Sequence, residues 1–196
     1  MSSSTSSNTS VKYIGLITLI AGLLMVVAGG VTWGFVTSQL KAENITVSAV
    51  TDKDPGSLAG KQVAGPFTAY AQANAINHHA LEAAGGRTYA ELGADAKVLK
   101  AKLAAAGVSK ADIAKDPGVV ALADSRTNTM NGSFLRASLF TSVISYGIAA
   151  LVMALGFLFS LLGFALTKVS KSKVVTSTPS VASTPTKTRE PVGASA

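Results

Sequence analysis

Two long stretches without a single charged residue limit what this chain can fold into more than any other feature. Tyr13 to Val36 reads YIGLITLIAGLLMVVAGGVTWGFV. As a helix rising 1.5 Å per residue it reaches about 36 Å, enough to cross a hydrocarbon core ~30 Å thick with some tilt. Ala137 to Thr167 is longer, and its portion from Ile148 to Leu166 is nearly all Leu, Ala, Phe, Val and Gly. Length and composition predict two transmembrane helices, 13–36 and 137–167. A cleaved signal peptide is the competing reading of the first run, which follows Lys12 and contains the small residues Ala28, Gly29 and Gly30. Its uncharged length exceeds a usual signal-peptide core, and no clean A-x-A site follows.

Orientation follows from the basic residues flanking the runs, because a long intervening loop crosses a membrane largely regardless of its own charge. Lys12 precedes the first run, and Lys168, Lys171 and Lys173 follow the second. On the loop side Lys41, Lys53, Arg126 and Arg136 are diluted by Glu43, Asp52, Asp54 and Asp124. Both termini are therefore expected in the cytoplasm and the segment 37–136 outside it, in a plasma membrane. Trp33 is expected at the outer interface and Tyr13 at the inner one. The formal net charge of +7 sits mainly in the C-terminal tail, where attraction to anionic lipid explains it without nucleic acid. With no Cys, a disulfide scaffold, a Cys-zinc site and a thiol nucleophile are excluded.

Small residues mark where the helices should meet. Gly15, Gly22 and Gly29 recur every seven residues in the first run, as do Ser142, Ala149, Gly156 and Gly163 in the second. Such a spacing keeps one seam facing a neighbour in a left-handed crossing. The expected fold class is thus an all-α membrane protein: an antiparallel two-helix hairpin with a mostly helical extracytoplasmic insert and disordered tails. Gly30 and Gly34 place a G-x-x-x-G on another face, suited to homo-oligomerisation or to another membrane protein; the plainer reading is that Gly is common in membrane helices. Neither run carries a charge, so no proton relay or ion pathway is indicated.

The segment 37–136 holds 11 basic and 9 acidic residues and is rich in Ala, with a meagre apolar content. Ile45 to Val50 has strand character but no evident partner strand. Helices are predicted from Phe67 to Ala84, stopped by Gly85-Gly86, and from Leu92 to Ala106, stopped by Gly107. Ser109 with Asp112 resembles a cap for a short turn before Asp116-Pro117-Gly118, and another helical piece runs from Val119 to Ala123. Ser133 is expected to cap the second span, leaving Arg136 in its first turn to reach outer headgroups. The tails, 1–12 and 168–196, are low in complexity and expected to be disordered. Thr178-Pro179 and Thr184-Pro185 offer kinase motifs of a kind found in many inert tails.

Candidate chemistry is sparse. In the first predicted loop helix, Phe67, Tyr70, Asn74, Asn77, His78 and Leu81 share one side. Four of them, Tyr70, Asn74, Asn77 and His78, are the candidate ligand or partner residues. His78 and Glu82 are spaced to share a metal ion, yet a catalytic zinc or iron site needs at least three protein ligands and no motif supplies a third. Asp52, Asp54 and Gly56 open like a calcium loop that Pro55 breaks and no Glu closes. Gly85-Gly86-Arg87-Thr88 could form an anion nest but lacks the rest of a P-loop, so a helix stop is the simpler reading. No catalytic residue, metal or cofactor is nominated.

At LKAENITV (Leu40 to Val47), GPFTAYAQANAIN (Gly65 to Asn77), SFLRASLF (Ser133 to Phe140) and VTWG (Val31 to Gly34) the chain resembles a family of small two-span membrane proteins from actinobacteria. Gly93 to Ser125 looks like an insertion relative to its shorter members. The resemblance implies a bacterial plasma-membrane location and brings no activity with it. Some members are described as aromatic ring-opening dioxygenases, a chemistry that needs an open iron site of His and carboxylate ligands, and two adjacent histidines do not form one. The sequence thus points to a non-enzymatic accessory or scaffold subunit held by the lipid bilayer and a membrane-protein partner. The alternative is a binding module for a small amphiphile, such as a lipid or quinone headgroup, with a metalloenzyme as a third class.

Overall fold

The computed structural model describes residues 9–170; the serine-rich start and the basic tail with its Thr-Pro pairs lie outside the described residues. Five helices account for most of the chain: α1 (Thr9–Ala42), α2 (Pro66–Ala83), α3 (Tyr89–Ala105), α4 (Lys110–Ile113) and α5 (Pro117–Val169). The architecture is all-helical, and α1 and α5 are each long and apolar enough to cross a membrane. Thr9 to Lys12, assigned above to the N-terminal tail, form the start of α1.

The second apolar run is not a helix of its own. It is the C-terminal part of α5, which spans 53 residues without a break and at 1.5 Å per residue is about 80 Å long. Asp116 caps it, its Oδ1 accepting from the amides of Gly118 at 2.9 Å and Val119 at 3.1 Å, and Pro117 occupies the first helical position, where no amide is needed. Ser133 is not a cap. Its hydroxyl donates to the carbonyl of Thr129 at 2.9 Å, one of several Ser and Thr side chains of α5 that bond back one turn, as Thr127, Thr129 and Thr141 also do. A hydroxyl satisfied in this way sits within a helix as readily as at its end.

α1 runs antiparallel to the C-terminal part of α5, with Gly15 against Gly163, Gly22 against Gly156 and Gly29 against Ala149. All six are buried. The backbones approach so closely that a Cβ on Gly22 would stand 2.5 Å from the Gly156 carbonyl oxygen and the Ser160 amide nitrogen. One on Gly156 would stand 2.6 Å from the Gly22 oxygen, and one on Gly163 would collide with the Leu19 backbone. Towards the loop end, large side chains take over. Ser142 is half-buried, its hydroxyl turned back to the Ser138 carbonyl, and the seam passes instead through Tyr146 and Leu139. The Tyr146 ring meets Trp33 edge to face, with centroids 4.7 Å apart, and its hydroxyl lies 2.8 Å from Thr37 Oγ1. Trp33 is accordingly half-buried in the helix pair. Gly30 and Gly34 face outward with nothing within 4 Å of the space a Cβ would fill.

Beyond Ala42 the chain turns through Asn44, at φ 52°, into a short two-stranded contact. The Ile45 to Val50 segment does have a partner: Val47 donates to Lys61 and Val63 to Ile45, both at 2.8 Å, around an antiparallel bridge between Thr46 and Gln62. Lys61-Gln62 carries no strand signal, which is why the partner was not evident in the sequence. Val47 and Val63 enter a core with Leu40, Ala69, Ala73, Leu139 and Tyr146, where α1, α2 and α5 converge.

α2 and α3 then step away from that core along the N-terminal part of α5, both antiparallel to it. Tyr70 lies beside Phe140, Ala80 over Gly132 and Leu99 over Gly118. Between them α2 is stopped at Gly85 and Gly86, both at positive φ, with the Gly86 amide closing on the Leu81 carbonyl at 2.7 Å, and the chain continues in the same direction along α5. α3 begins three residues earlier than its apolar seam suggests because Thr88 and Glu91 form a capping box.

Gly22→Ala and Gly156→Ala should each destabilise the helix pair by about 1–3 kcal/mol, the usual cost of overpacking, whereas Gly30→Ala and Gly34→Ala leave it unchanged. Thermal unfolding of the detergent-solubilised chain measures this, and equal behaviour of the two pairs would contradict the seam.

Candidate functional site

Of the residues singled out in the sequence, Tyr70 and Asn77 meet side chains of α5, while His78 meets Glu82 and His79 on α2 itself. Tyr70 is 52% exposed and Asn74, Asn77 and His78 are half-buried. The centre of the cluster lies on α5. Arg136 donates from Nη1 to Asn77 Oδ1 at 3.2 Å, and its guanidinium carbon stands 5.1 Å from the Phe140 ring centroid. Phe140 in turn meets Tyr70 edge to face at 5.8 Å. Arg136 is thus drawn sideways onto α2. Its Nε is buried with no hydrogen-bond partner among the described residues. A shallow cleft of about 180 Å³ lies beside it, lined by Ser133, Arg136, Ala137 and Phe140. The arrangement joins one cation to an aromatic wall, a surface chemically suited to an anionic or polar headgroup attached to an apolar body.

The two histidines diverge. His78 Nε2 lies 3.9 Å from the exposed Glu82 Oε2. His79 Nε2–H donates to the Ala49 carbonyl at 2.8 Å, tying α2 to the loop before it. Among the described residues, no three His, Asp, Glu or Cys side chains come together in a way that could hold a metal ion. Glu82 is therefore a shared neighbour of the two imidazoles and has no second carboxylate beside it for a ligand set.

Sequence reasoning passed over Gln72. It is buried, and its Oε1 accepts from the Ser48 amide at 2.7 Å while Nε2 donates to Ser48 Oγ at 3.4 Å. Gln72 and His79 lie seven apart on one helical face and together hold the 45–50 segment in place of a third strand. The available signal was a polar side chain alternating with alanines, shared with Asn74, and the partner of Gln72 lies 24 residues upstream. Glu91 has its pKa lowered from an ordinary value of 4.5, mainly by the backbone amide of Thr88 and then by the Thr88 hydroxyl. No family model, curated protein or solved structure matches the chain.

Two outcomes follow from these bonds. Gln72→Leu leaves the Ser48 amide unpaired, at a cost of about 1–3 kcal/mol, and the Ser48 amide should exchange with deuterium markedly faster while the amides of α5 stay protected. The depressed pKa of Glu91 means the charged carboxylate supports the cap above the ordinary value, and that support is lost as pH falls through the lowered one. Acidification should fray the start of α3 in the wild type, whereas Glu91→Gln, whose amide oxygen can still accept from Thr88, should remove that pH dependence, as read by amide exchange.

Proposed function

We propose that the chain is a non-enzymatic integral membrane protein whose hairpin of α1 and α5 crosses a plasma membrane and holds the α2–α3 domain rigidly outside it as a scaffold or accessory subunit. The observation that carries this reading is the continuity of α5: one unbroken helix contributes both the apolar span and the wall on which α2 and α3 pack. A domain mounted in this way cannot swivel freely on its anchor, which suits a fixed docking platform better than a tethered enzyme.

The membrane assignment is supported by where the apolar side chains point. Only 17% of the most apolar stretch of either helix is buried within the chain. Leu23, Leu24, Val27 and Val31 of α1 face outward, as do Ile148, Leu151, Phe157 and Leu162 of α5. A core helix of a water-soluble domain would cover such residues, so their proper solvent is hydrocarbon. Lys12 and Lys41 bound this zone on α1, about 43 Å apart at the helical rise, close to the ~40–45 Å from headgroup to headgroup. At the loop end Phe67, 80% exposed, and Tyr70 lie level with Arg136 and Phe140, where aromatic rings favour the interface. The open Gly30 and Gly34 face is where a further membrane helix, from a second copy or another protein, would pack.

A second reading rests on Arg136. With Tyr70, Asn77 and Phe140 around it, the cleft on α5 suits the headgroup of an amphiphile lying at the interface. On that reading Arg136→Gln reduces amphiphile binding and leaves assembly intact.

The scaffold reading is tested by topology and by mass. A cysteine placed at Ala101 should react with an impermeant maleimide added to intact cells and one at Ala182 should not. The protein purified in mild detergent should be larger than a monomer, and Gly30→Leu with Gly34→Leu should reduce it to one. Labelling at Ala182 alone, or a monomer in the wild type, would overturn the proposal.

A further inference from the structure

A second cleft, of about 400 Å³, lies further along α5, between it and α3, lined by Tyr89, Gly93, Lys97, Lys100 and Arg126 with alanines as its remaining floor. We infer that this cleft binds a phosphate group carried by a small solute outside the membrane, with Arg126 as the fixed contact and Lys97 and Lys100 as mobile ones.

Arg126 is held in place from two sides. Its guanidinium carbon stands 4.2 Å from the Tyr89 ring centroid, and on the other side it covers Gly93, where a Cβ would come 3.4 Å from the guanidinium. Packing of this kind orients the planar fork and lowers the entropy lost when it takes a ligand. The Nε atom is buried with no hydrogen-bond partner among the described residues, and no carboxylate lines the cleft. The acids of α3 are engaged elsewhere, Glu91 with the Thr88 cap and Asp95 with Arg87 at 3.1 Å. Lys97 and Lys100, three apart on one face, bring two ammonium groups to the same opening. Three cations without a counter-charge, one of them a planar fork, match a tetrahedral dianion better than a single carboxylate. The volume exceeds that of phosphate alone, and the small apolar floor of Ala90, Gly93, Ala94 and Ala96 leaves room for a modest organic group esterified to it.

The position of the cleft argues for a solute over a lipid. Arg126 precedes Arg136 by ten residues of a continuous helix, so it stands about 15 Å further from the apolar span. That is nearly two Debye lengths at physiological salt, ~8 Å each.

Titration calorimetry of the full chain in phosphatidylcholine nanodiscs at 0.15 M salt, with inorganic phosphate and glycerol phosphate as probes and glycerol as the neutral control, tests the inference. Saturable binding of both phosphates and none of glycerol is expected. Arg126→Gln, and Lys97→Gln with Lys100→Gln, should each weaken binding about tenfold or more, equivalent to about 1.4 kcal/mol, and Lys102→Gln, off the cleft, should leave it unchanged. The two lysines are exposed, so their double variant retains the fold and keeps the test decisive if Arg126→Gln unfolds. Absence of saturable binding, or equal behaviour of the double variant and Lys102→Gln, would overturn the site. Binding that disappears when phosphatidylglycerol is added to the discs would overturn the solute as its source and assign the phosphate to a lipid headgroup.

Discussion

The contact of Gly22 with Gly156, backbone against backbone, is the constraint on which the rest of the structure depends. On the membrane reading proposed above, no water is released when the two helices meet, so their attraction rests on dispersion and on weak contacts between Cα hydrogens and carbonyls. Both decline steeply with distance, and only residues without a side chain bring the axes close enough. The three small pairs on the α1–α5 seam set this approach over the length of the apolar zone. Where it ends, Tyr146 and Trp33 fill the wider space with an edge-to-face pair, and the Thr37 hydroxyl satisfies the phenol. The pair thereby delivers Leu40 and Leu139 to the same level, which is where the core shared with α2 begins.

That core is small. It consists of a few valines, leucines and alanines with Tyr146, and the ordering of the segment between α1 and α5 depends correspondingly on placed polar groups. Gln72 and His79 replace a missing strand for the 45–50 segment, Thr68 gathers the Ala64 and Gly65 amides at the start of α2, and Thr88 with Glu91 sets the start of α3. α5 supplies the remaining wall. Gly132 and Gly118 allow α2 and α3 to lie close upon it, repeating outside the apolar zone the device that joins α1 and α5 within it.

The all-helical class, the two apolar helices and the positions of the loop helices could be read from the sequence, because each depends on local periodicity and on glycine stops that act within a few residues. The unbroken course of α5 was hidden by its own composition. Ser125 to Ser145 is rich in hydroxyl residues that suggest caps and interfaces, and nothing local reveals that they bond back into the helix. The short two-stranded contact was equally illegible, since Lys61-Gln62 owes its extended shape to Val47 and Ile45 across from it. Of the candidate residues, Tyr70 and Asn77 share a face by simple projection. Arg136, which organises them, lies 59 residues from Asn77, and only tertiary packing brings the two together.

A stiff rod anchored at one end converts angle into distance. The part of α5 from Pro117 to Arg136 projects about 30 Å past the apolar zone, so each degree by which the buried half leans displaces the far end by about half an ångström. On the membrane reading proposed above, a change in bilayer thickness that alters helix tilt would be transmitted to α3 and α4 as sideways travel, with no break in α5 along the way to absorb it.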